Sequence, residues 1–146
     1  MVVALVGLVG LAGCNDVRDF AGTWHGNRVG EPALRVGPGE QAFLTIEAID
    51  KHGLRATLTM HALEDVPPLI SAGFTSIEAA EADALASMTF AGDPLRVYLA
   101  FVPLAQAGAG DALAVLSLYD ADRIELRLLK GEPSPLYAIY PLTRSE

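Results

Sequence analysis

The sequence predicts a mainly β protein, a single antiparallel β-barrel or sandwich of about eight strands, with one short helix near residues 75–88. Three observations predict it. Leu54–Leu63 and Arg123–Leu129 alternate apolar and polar residues with period two, which a helix cannot do while keeping one apolar face. Turn signals recur between apolar runs at hairpin spacing. Prolines at 67, 68, 94, 103, 133, 135 and 141 break up any long helix. A length of 146 residues fits one domain.

The elements follow in chain order. Phe20–Val29 is a first strand, softened by glycine, and the Gly- and Pro-rich stretch Gly30–Glu40 is a loop. Gln41–Asp50 and Leu54–Leu63 form a hairpin through Lys51-His52-Gly53. Glu64–Gly73 holds Pro67-Pro68 and reads as a loop. Thr75–Met88 carries the helix: Thr75-Ser76-Ile77-Glu78 fits a capping box, and Ile77, Ala80, Ala84, Leu85 and Met88 share a face. A strand pair turning at Ala82-Asp83 is the rival. Ala86–Phe90 is a strand ending at the turn Gly92-Asp93-Pro94. Leu95–Val102 and Ala112–Tyr119 are apolar on both faces and flank the loop Pro103–Asp111. Asp120-Ala121-Asp122 turns the chain into Arg123–Leu129, with Ile124, Leu126 and Leu128 inward and Arg123, Glu125 and Arg127 outward. After a turn at Gly131–Pro135, Leu136–Arg144 closes the chain, and Pro141 marks an edge or a bulge.

The N-terminus has a different character. Met1–Gly13 has no charge, and Cys14–Asp19 turns abruptly polar. The run is shorter than the ~20 residues of a membrane-spanning helix and has the form of a secretory apolar region. Leu11-Ala12-Gly13-Cys14, which uses the only cysteine, resembles the lipobox of bacterial lipoproteins. The resemblance implies a signal peptide over 1–13, cleavage before Cys14, lipid attachment at Cys14, a short tether over 14–19 and a single β domain over 20–146. It also implies a lipid-anchored protein of the bacterial cell envelope, and Asn15, in place of Asp, favours the outer membrane. No Lys or Arg precedes the apolar run, which predicts a translation start upstream of Met1. The rival is a buried N-terminal strand with a free core cysteine.

Eighteen acidic against ten basic residues give a net charge of −8, which argues against nucleic acid as a partner. Gly22-Thr23-Trp24 opens the first strand. It is similar to the G-x-W signature of lipocalins and other calycin-type barrels. That resemblance implies that Trp24 closes the barrel floor, with a basic residue of the late strands across its ring. Arg144 and Arg127 are the candidates, and Gly22, Trp24 and Arg144 form the expected structural set.

No catalytic constellation emerges. His25, His52 and His61 lack metal-ligand spacing. Asp120 and Asp122 fit turn chemistry, Glu78, Glu81 and Asp83 fit a solvated face, and no serine sits in a G-x-S-x-G context. The sequence therefore predicts no enzyme, no cofactor and no metal. It predicts an envelope lipoprotein that acts through protein–protein interaction, as assembly accessory, inhibitor or scaffold, with Tyr98, Tyr119, Tyr137 and Tyr140 as an exposed contact patch. The alternative is a lipocalin-like carrier or sensor of a small apolar ligand, in which the small inward residues Ala100, Ala112 and Ala114 leave a cavity. Two-sided apolarity in 95–102 and 112–119 also fits strands covered on their outer face by the 75–88 segment.

Overall fold

The computed structural model describes residues 16–30, 41–61, 69–77, 94–103, 111–120, 122–130 and 136–146. Eight antiparallel strands close into one barrel in which each pairs with its sequence neighbours and the last returns to the first. They are β1 (Gly22–Asn27), β2 (Gln41–Ile49), β3 (Gly53–His61), β4 (Leu69–Ile77), β5 (Arg96–Pro103), β6 (Asp111–Asp120), β7 (Arg123–Lys130) and β8 (Leu136–Arg144). A barrel, not a sandwich, is the outcome: closure leaves no open sheet edge.

Alternation sorts the side chains. The lumen takes Trp24, Leu44, Ile46, Leu54, Leu58, Met60, Phe74, Tyr98, Leu116, Leu118, Ile124, Leu126, Tyr140 and Leu142, all buried in one continuous core. The chain turns tightly at two places at one end of the barrel. In the β2–β3 turn, Asp50 accepts the amides of His52 and Gly53, and these backbone hydrogen bonds hold its carboxyl below the usual range. In the β6–β7 turn, Asp120 accepts the amide of Asp122, as the turn reading of that pair required.

Two predicted elements need correction. Leu69–Ile77 is strand β4, although 64–73 reads as a loop. Seven register pairs, from Gly53↔Thr75 to Thr59↔Leu69, bind it to β3. Pro67-Pro68 therefore precedes the strand, and Ser71 and Gly73 weaken its local signal without preventing pairing. Thr75, Ser76 and Ile77 do not start a helix: they pair with Leu99, Tyr98 and Val97 of β5. The rest of the expected helix, 78–88, and the expected strand Ala86–Phe90 lie outside the described residues.

Ahead of β1, Val17–Phe20 forms a 3-10 helix. Asp16 caps it, its carboxylate accepting the Arg18 amide at 3.0 Å. Residues 17–19, expected in the tether, are thus folded, and Phe20 is buried against the core.

The seam between β8 and β1 is thin and interrupted. It pairs Trp24↔Arg144 and His25↔Thr143, and resumes in the same register only at Val29↔Ile139. In that register Pro141 lies opposite Asn27, where it has no N–H to donate, so the bulge signal carried by Pro141 appears as a gap in the ladder. Gly26 fits the gap: a Cβ there would stand 1.9 Å from the Pro141 carbonyl oxygen.

Candidate functional site

The barrel has two unlike ends. At the floor, where β1 begins and β8 ends, the 3-10 helix and Trp24 meet. Trp24 is fully buried, stacks on Phe20 with ring centroids 6.1 Å apart, and donates from Nε1 to the Phe20 carbonyl at 3.0 Å. The Arg144 guanidinium lies 4.4 Å from the Trp24 ring centroid, a cation–π distance. It donates from Nη1 to the Ala21 carbonyl at 2.9 Å and from Nη2 to the Asp19 carbonyl. One planar fork thus ties the last strand to the helix and to the indole. Gly22 is required twice. Its φ of +124° lies where side chains strain the backbone, and a Cβ there would stand 3.0 Å from Arg144 Nη1.

Arg127, the other candidate for the indole, is elsewhere. It faces outward on β7 and pairs with Glu125, Nε to Oε1 at 2.6 Å, with both side chains nearly buried. Val97, Val115, Ser117 and Tyr119 are also buried on the outside of β5 and β6. This is the two-sided apolarity seen in the sequence. Its expected cover, 78–88, lies outside the described residues.

Exchanging the Arg144 fork is expected to cost stability even where charge is kept. Arg144→Met is expected to lower it by about 2 kcal/mol, from two charged hydrogen bonds and the ring contact. Arg144→Lys is expected to recover less than half of that, because an ammonium cannot make the two-carbonyl fork. Denaturant midpoints of both variants check this; a lysine variant as stable as wild type removes the fork argument.

At the opposite end, the mouth, the lumen narrows in side-chain size. Ala100, Ala114, Leu128 and Ala138 stand at one level across β5–β8 by register. Ala112 follows one step nearer the rim, and Gly26 pairs with Ala42 on β1 and β2. All five alanines are buried. An eight-stranded barrel has an interior that side chains just fill or that holds one small ligand, and here the alanines are interleaved with the buried Met60, Val102 and Leu128.

The tyrosine patch is not there. Tyr98 and Tyr140 are fully buried in the lumen, Tyr119 is buried on the outer face, and only Tyr137 is exposed. Tyr98 donates its hydroxyl to the Asp50 carbonyl at 2.7 Å; burial pushes that hydroxyl above its ordinary pKa, against the opposing pull of Arg96. The sequence errs because tyrosine suits both a strand surface and a lumen where its hydroxyl reaches a carbonyl. Among the described residues the large apolar side chain most exposed is Phe101, on β5.

The remaining candidates are scattered. His25 makes a 2.9 Å hydrogen bond between Nδ1 and Ser145 Oγ. His52 lies in the β2–β3 turn, beside an open groove of about 460 Å³ lined by Ile49, Asp50, Leu54, Arg55 and Phe74. The side chain of His61, the residues Glu78, Glu81 and Asp83, and Cys14 lie outside what the structure describes. Among the described residues no group of three or more His, Cys, Asp or Glu side chains converges as a metal site. The chain matches no protein-family model, and comparison with curated proteins and with solved structures returns no match.

Proposed function

We propose that this protein is a lipid-anchored barrel of the bacterial envelope that holds a small apolar molecule in its lumen. The observation that carries the reading is the asymmetry of the closed barrel: one end is sealed by the 3-10 helix, Trp24 and Arg144, and the other is lined by buried alanines. A closed floor under an apolar lumen whose side chains are small toward the mouth is a frame on which a small barrel can hold a ligand from one end. The likeness to lipocalin-type barrels at Gly22-Thr23-Trp24 supports it, since Gly22 and Trp24 both meet Arg144 at the floor. A protein-interaction role could not draw on the tyrosines as an exposed patch, since three of the four are buried.

The anchor reading rests on Leu11-Ala12-Gly13-Cys14. Asn15 and Asp16 alone separate Cys14 from the 3-10 helix, and three residues reach about 10 Å. Acyl chains on Cys14 thus hold the floor against the bilayer and turn the mouth away from it. The net charge of −8 opposes adsorption of the barrel wall to anionic headgroups.

The test is mass spectrometry of the full chain purified from its native membrane. The expected result is an acylated N-terminal peptide beginning at Cys14, together with a near-stoichiometric apolar small molecule in the organic extract. Cys14→Ala is expected to abolish acylation and release the protein from the membrane fraction, because the acyl chains supply the affinity. An unmodified Cys14 in a membrane-bound protein sinks the anchor, and protein free of any small molecule that also takes up none sinks the carrier.

A further inference from the structure

The outer wall of the barrel has two unlike halves. On β1–β3 it is polar, with Thr23, Asn27, Thr45, Glu47 and Arg55 exposed. On β5–β8 the register aligns Phe101, Leu113, Leu129 and Tyr137 in one row across four strands. They stand on the face opposite to Ala100, Ala114, Leu128 and Ala138, which point into the lumen. The next row toward the floor is Leu99, Val115, Arg127 and Ile139, and it ends on Val29, which bridges to Ile139. Phe101 is 74% exposed, Tyr137 46% and Val29 44%, while Leu99, Leu113, Leu129 and Ile139 are half-buried.

Contiguous apolar surface with water on it marks a contact site. The one charge in the two rows is Arg127, buried and paired with Glu125. That neutrality bears on what the face meets. A chain carrying −8 draws a basic partner to its acidic surface and repels its own copies, and two copies approach at least cost where neither presents charge. Position bears on it too. With the floor held on the bilayer through Cys14, this face looks sideways along the membrane, where the neighbours are anchored copies of the same chain.

We propose that the β5–β8 wall is the contact between two copies of this chain standing side by side on one membrane. A two-fold axis along the membrane normal joins the two faces and leaves both floors on the bilayer. The geometry rests on the anchor reading. Four inter-strand steps of about 4.8 Å make the face about 20 Å wide, and it is two rows deep. That falls short of the ~800 Å² per side of a free-standing complex, so the pair holds where anchoring confines the copies to one surface.

Cys14 is the only cysteine, so an introduced cysteine reports on its own position once Cys14 is acylated. The full chain is made in its native membrane with Leu129→Cys, at the centre of the face, or with Thr45→Cys, across the barrel on β2, and treated with a short bis-maleimide. Leu129→Cys is expected to give a two-chain product at a yield roughly tenfold or more above that of Thr45→Cys. Adding Phe101→Asp to Leu129→Cys is expected to bring the yield down to the Thr45→Cys level, because it sets like charges across the contact; near-ultraviolet circular dichroism reports that the variant is folded. No two-chain product from Leu129→Cys, equal yields at the two positions, an undiminished yield in the folded Phe101→Asp variant, or cross-linking to a different protein in place of a second copy overturns the proposal. Mass spectrometry of the same sample reads Cys14: an acylated chain that does not cross-link sinks the contact alone, and an unacylated Cys14 sinks the anchor and the contact together.

Discussion

Trp24→Ala is expected to be among the most destabilising single changes in this chain, at roughly 3–5 kcal/mol. The indole is fully buried, so its removal leaves a void that the barrel wall, fixed by ladder hydrogen bonds on both sides, cannot collapse to fill. It also removes the Nε1 donor that holds the Phe20 carbonyl and the ring over which Arg144 lies. The loss spreads to the 3-10 helix, which makes its main contact with the barrel through Phe20 and Val17. A single domain of this size has about 5–15 kcal/mol in all, so the variant is expected to melt about 10–20 °C below wild type. Thermal unfolding followed by circular dichroism measures this. A melting point within about 2 °C of wild type would mean that the floor does not depend on the indole.

Gly26→Ala is expected to be nearly as damaging, although it adds one methyl group. The new Cβ would stand 1.9 Å from the Pro141 carbonyl oxygen and 2.9 Å from its carbon. Both are backbone atoms, which cannot swing aside as a side chain can. The strands must part, and they part at the seam where β1 and β8 share three pairs among the described residues. Overpacking alone costs about 1–3 kcal/mol, and loss of the seam brings the expected total to about 3 kcal/mol or more. Hydrogen exchange separates the two contributions: amides of β8 that bond to β1 are expected to lose protection while those of β3 keep it. Uniform protection at wild-type level would show that the seam tolerates the methyl.

Much of the wall was legible in the sequence because period two is a direct print of a surface with one wet and one dry side. Leu54–Leu63 and Arg123–Leu129 show it, and β3 and β7 follow within a residue or two. β4 was not legible, because its neighbours decide it: Ser71 and Gly73 have poor strand propensity, and only pairing with β3 makes the segment extended. The floor was half legible. Gly22-Thr23-Trp24 is a local signal, but the choice of Arg144 over Arg127 depends on closure, which brings residue 144 beside residue 24 and leaves Arg127 with Glu125 on the outside. Buried charge at the mouth end was not legible at all. Arg28, just past β1, is 5% exposed and the Lys130 Nζ at the end of β7 is enclosed, and neither burial leaves any mark on local composition.

The segments joining β1 to β2, β3 to β4, β5 to β6 and β7 to β8 all leave from the mouth end, as the strand order requires. The contacts that close the barrel at the other pole involve Phe20, Gly22, Trp24 and Arg144. Evolution and engineering can therefore treat the two poles separately. Lengthening a connection costs little, since closure entropy rises only logarithmically with length, and the strand ends it joins lie at the pole away from the floor lock. The mouth end is thus free to vary by insertion and substitution while the other pole keeps the chain folded, a division of labour that makes this small barrel a natural frame for grafting new specificities.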